Sequence, residues 1–77
     1  MITAVEFNVA CTAASSSEEN MVNVEYEGGK QDSFLIAEIG TIIATSEIGK
    51  INNDGFQVQD GLGTFVYFRD IVRVWAT

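Results

Sequence analysis

A chain of 77 residues with eleven carboxylates, four basic side chains and no histidine holds one domain, residues 1–77, and lacks the basic stripe that neutralises phosphates in nucleic-acid complexes. Cys11 is the single cysteine, so neither an intrachain disulfide nor a zinc site of the common Cys/His kind is available. The chain is 47% hydrophobic, with five Phe, two Tyr and one Trp. That is too apolar for intrinsic disorder, yet a domain this small buries only about 60–65% of its unfolded surface. Self-association is expected to supplement the thin core.

Residues 2–11 alternate, with Val5, Phe7, Val9 and Cys11 on one side and Glu6 and Asn8 on the other, which predicts a half-buried strand. An apolar stretch before Cys11 invites a lipoprotein-signal reading, but no Lys or Arg follows Met1 and Glu6 interrupts the run, so no targeting segment is read here. Residues 12–20 form a polar connector. Met21 to Glu27 alternates again, and Gly28-Gly29 signals a hairpin. The return strand is expected over 33–39, where Phe34, Leu35, Ile36 and Ala37 break the alternation, and Gly40 punctuates it. A short strand follows over 42–45.

From Ile48 the pattern predicts a meander. A short strand through Lys50 and Ile51 leads to a turn at Asn52-Asn53-Asp54-Gly55, and a further strand covers 56–60. Asp60-Gly61-Leu62-Gly63 is the next turn, before a strand over 64–68. Arg69-Asp70-Ile71 reads as a one-turn corner before a final strand over 72–75. No stretch predicts an amphipathic helix, and none approaches the roughly 20 apolar residues of a membrane helix.

Five to seven short strands with tight turns and seven glycines predict an all-β domain, a small antiparallel barrel or a strongly bent sheet. The last thirty residues, with two hairpins, a corner ending in Asp70-Ile71 and a short final strand, resemble the closing portion of SH3-like and Sm-like barrels. The resemblance is one of general shape and covers less than half the chain. It implies no particular function. An N-terminal helix of the Sm type is not expected.

Catalysis lacks its usual parts: no histidine is present, and Cys11 reads as a small buried hydrophobe without a nearby base. We expect no enzymatic activity, no cofactor and no metal site. Asn52-Asn53-Asp54-Gly55 and Asp60-Gly61 do not fit a calcium loop and serve as turns. Gly61-x-Gly63-Thr64 lacks the lysine of a phosphate loop.

Surfaces carry more information. Trp75 shares a register with Arg73, and Phe65 and Tyr67 alternate with Val66 and Phe68. The C-terminal strands are therefore apolar on both faces, and Trp75, Arg73, Tyr67 and Phe65 are the expected oligomer interface. Between subunits, Arg69, Arg73 and Lys50 are candidate contacts for a small anionic ligand. Eight of the eleven carboxylates and one of the four cations precede residue 48, so the first part of the chain carries the whole net charge. Glu18, Glu19, Glu25 and Glu27 form a candidate face for a basic protein partner. The expectation is a non-enzymatic, self-associating interaction or structural module. Its alternatives are an acidic regulator of a basic protein and an intersubunit ligand binder. The free thiol fits the cytoplasm, and neither membrane nor nucleic acid is an expected partner.

Overall fold

A computed structural model describes the backbone of residues 1–47 and 50–77, with side chains at 1–40 and 54–77. The first element is a helix, α1 (Ala4–Ser15), where alternation predicted a strand. Its start explains the difference. The Thr3 hydroxyl accepts from the Glu6 amide at 3.1 Å, and the Glu6 carboxylate accepts from the Thr3 amide at 3.2 Å. This capping box satisfies two otherwise orphaned amides. The helix then sorts the apolar residues by its own period, burying Phe7, Ala10 and Ala14 and leaving Val5 and Val9 outside at 71% and 64% exposure. Asn20, in the left-handed region at φ 55°, closes the helix end by donating to the carbonyls of Ala14 at 2.9 Å and Ser17 at 3.1 Å.

Six strands follow: β1 (Met21–Tyr26), β2 (Gln31–Leu35), β3 (Ile39–Glu47), β4 (Lys50–Val58), β5 (Phe65–Tyr67) and β6 (Ile71–Ala76). Short 3₁₀ turns at Ile36–Glu38 and Phe68–Asp70 join β2 to β3 and β5 to β6. The first replaces the middle of the return strand expected over 33–39, and the second is the predicted corner, one residue early. All pairings are antiparallel, in two three-stranded sheets ordered β2-β1-β6 and β3-β4-β5. The domain is thus mostly β with one helix rather than all-β, and no closed barrel forms among the described residues.

The hairpin at Gly28-Gly29 stands as predicted, with both glycines at φ 92°, a value that L side chains avoid. The expected turn at 52–55 does not. Those residues lie inside β4, where Ile43 faces Gly55 and Ala44 faces Asn53, so Asp54 is the extra residue of a bulge. Turn-type residues mark a bulge as readily as a reversal. Gly55 has a packing reason of its own: a Cβ there would collide with the Val66 carbonyl on β5. The strand expected to begin at Ile48 falls partly outside the described residues.

A second bulge shapes β6. Glu25 faces Arg73 while Tyr26 faces Ile71, which makes Val72 the extra residue. Ile71 is thereby fully buried and Val74 half-buried, and Val72 is left 44% exposed. Plain alternation places Val72 and Val74 on one side of the strand; the bulge separates them. The core itself is aromatic. Phe7 stacks on Phe56 with ring centroids 4.3 Å apart, Phe68 tilts against Phe7 at 5.2 Å, and Phe34 meets Phe56 edge-on at 5.5 Å. These rings draw α1 and both sheets onto one centre. Among the described residues no helix is long and apolar enough to cross a membrane.

Candidate functional site

The outer face of the β2-β1-β6 sheet presents Arg73 and Trp75 side by side, two residues apart on β6. The Arg73 guanidinium lies 4.3 Å from the centre of the Trp75 ring and pairs with Glu25, its cross-strand neighbour, at 2.9 Å. Trp75 is half-buried, neither core nor freely exposed. Arginine held flat on an indole by a carboxylate combines a cation–π contact with a partly screened ion pair. Below it Asn23 is buried and fully engaged. Its side-chain amide donates to the Trp75 carbonyl at 3.3 Å and the Thr77 hydroxyl at 3.0 Å, and it accepts from Ser33 at 2.6 Å. Asn23 thus ties all three strands of this sheet together.

Phe65 and Tyr67 belong to the other sheet. Their rings meet edge-on at 4.7 Å, and Tyr67 is 40% exposed, while Val66 and Phe68 between and beyond them enter the core. Arg69 covers the outer side of Tyr67, 4.5 Å from its ring centre. The four expected interface residues therefore divide between two sheets, Arg73 with Trp75 on one and Phe65 with Tyr67 on the other, the latter joined by Arg69, instead of forming one continuous patch. Arg69 and Arg73 are each occupied by an aromatic neighbour, and the side chain of Lys50 lies outside the described residues.

The acidic residues are also dispersed. Glu18 and Glu19 sit in the connector before β1 and Glu27 in the turn after it, so the strand length of roughly 20 Å separates them. Glu25 is paired with Arg73.

Tyr67 and Phe65 contribute instead to a cleft of about 410 Å³ between the β1–β2 hairpin and β5. Tyr26 and Asp32 form the hairpin side, and Glu27, Lys30 and Asp70 stand around the mouth. Asp32 faces Val24 across the hairpin, so this carboxylate lies on the core-facing side of its strand, in line with Phe34. Burial pushes the Tyr26 hydroxyl well above the usual phenol range, reinforced by the neighbouring Asp32 carboxylate and the nearby charge of Asp70. The cleft was not anticipated from sequence. The available signal was Asp32-Ser33-Phe34, where a charge occupies the same side of a strand as a core aromatic.

Cys11 lies in α1, half-buried against the core, and burial raises its thiol pKa, which holds back the nucleophilic thiolate. Asp60 builds the predicted turn, accepting from the Leu62 amide at 2.8 Å and the Thr64 hydroxyl at 2.6 Å. Those two bonds, the Thr64 one foremost, lower its pKa. Among the described residues no three carboxylate or thiol groups converge as metal ligands. No family model matches the chain, and no curated protein or solved structure is significantly similar to it.

Proposed function

We propose that this chain is a non-enzymatic interaction module that self-associates through β5 and β6, in a reducing compartment such as the cytoplasm. The observation that carries this reading is the edge position of both strands: β6 ends one sheet and β5 the other, as β2 and β3 do on the opposite sides. An edge strand offers unpaired amides and carbonyls to a further strand. Here β6 and β5 also carry an arginine-capped aromatic each, Trp75 with Arg73 and Tyr67 with Arg69, the residue types that dominate binding energy at protein interfaces. Two β6 edges related by a two-fold axis close as a dimer, whereas β6 against β5 of the next copy continues into a larger assembly. A hydrogen-bonded turn explains Asp60, and burial explains Cys11, so neither needs a catalytic role.

Native mass spectrometry and sedimentation of the full chain test the proposal. A mass above 8.4 kDa is expected at micromolar concentration, and Trp75→Ala should weaken the assembly by about tenfold or more. A monomer at all concentrations, or an assembly indifferent to both Trp75→Ala and Tyr67→Ala, rejects it.

A further inference from the structure

We infer that the cleft between the β1–β2 hairpin and β5 binds an organic cation, an alkylammonium or guanidinium group carried on an apolar stem. The inference rests on the cleft, which shares Phe65 and Tyr67 with the β5 edge proposed for self-association. The cleft is open, about 410 Å³ in volume. Its charged lining is Glu27, Asp32 and Asp70 against Lys30, so carboxylates outnumber the resident cation three to one. Asp32 and Glu27 have no cationic partner within 4.0 Å among the described residues, and Asp70 has only a long contact with the exposed Arg69 at 4.0 Å.

The walls complement that charge. Tyr26, Phe65 and Tyr67 supply aromatic surface, which attracts cations to its ring faces and shelters methylene stems. Arg69 already lies over Tyr67, which shows that this ring accepts a guanidinium from within the chain. Asp32 is the central feature. It is a half-buried carboxylate on the core-facing side of its strand, and a carboxylate offers about four accepting sites. A bound ammonium or guanidinium would engage them with charge-assisted hydrogen bonds, while the stem lies along Phe65 and Tyr67.

The chemistry is shared by free diamines and by lysine or arginine side chains of a partner segment, and one titration separates them. The full chain is titrated with putrescine, agmatine and N-acetyl-lysine methylamide, with n-butanol as the uncharged control, and backbone amide shifts are followed by NMR. Saturable shifts confined to Tyr26, Asp32, Phe65, Tyr67 and their neighbours are expected for at least one cation and absent for butanol. Saturation by the free amines alone assigns the site to small molecules; saturation by the lysine derivative assigns it to a basic side chain.

Asp32→Asn should weaken binding by about tenfold or more. Because that change also touches Tyr26, the exposed Lys30→Ala serves as a second variant. It removes the competing cation and should tighten binding by roughly threefold. Shifts that never saturate, that spread over every acidic surface, or that are unaltered by both substitutions overturn the inference. In Trp75→Ala, whose assembly is expected to be weakened, the saturable shifts should persist.

Discussion

On one side of α1, Phe7, Ala10 and Ala14 are buried against two sheets; on the other, Val5 and Val9, no less apolar, stand 71% and 64% exposed. Residue type does not separate the two faces, since the helix is apolar nearly all round. What separates them is the aromatic centre of Phe56 and Phe68, which meets only the Phe7 side. Stability is therefore expected to reside on one face of the helix, and the other is free to change.

Phe7→Ala puts the largest strain on that contrast. It removes a ring that stacks on Phe56 and should cost about 3–5 kcal/mol, seen as a sharp fall in the urea midpoint. A loss below 1 kcal/mol would mean that the core does not depend on α1. Thr3→Ala affects both faces equally, because the capping box holds the helix as a whole; about 1 kcal/mol is expected, with loss of helical signal in the far ultraviolet. Val9→Ser is the smallest change. It should move stability by no more than about 0.5 kcal/mol and leave the solution mass as it was, unlike Trp75→Ala. A drop in mass with Val9→Ser would relocate the assembly surface to the helix.

The same helix shows where sequence reasoning reaches its limit. Thr3-x-x-Glu6 was visible as a capping box, but Val5, Phe7, Val9 and Cys11 satisfy a period of two over the same window. Short windows do not discriminate between periods when nearly every position is apolar. The β1–β2 hairpin was readable because Gly28-Gly29 has a single common use between two alternating runs. The turn at Asp60 and the corner before β6 were readable for similar reasons of local chemistry, whereas the turn expected at 52–55 was not a turn. Neither bulge was readable. Val72 is out of register because of what lies on the neighbouring strand, and the turn-type residues around Asp54 fit a reversal as well as a bulge. The candidate site divides in the same way: Arg73 with Trp75 follows from spacing along one strand, whereas the cleft joins Asp32 to Phe65 across two sheets.

The distant ends of this sequence also hold one another. The Ile2 amide donates to the Phe68 carbonyl at 3.3 Å, the Glu19 amide to the Thr77 carbonyl at 2.9 Å, and the Thr77 amide to the Met21 carbonyl at 3.0 Å. Asn23 reaches Trp75 across 52 positions of chain. The entropy of closing so long a loop must be met before β1 and β6 stabilise each other, which slows folding towards the millisecond-to-second range typical of non-local topologies. On a ribosome, β1 would wait with one side unpaired until β6 had been made, a period in which other chains compete for the same edge.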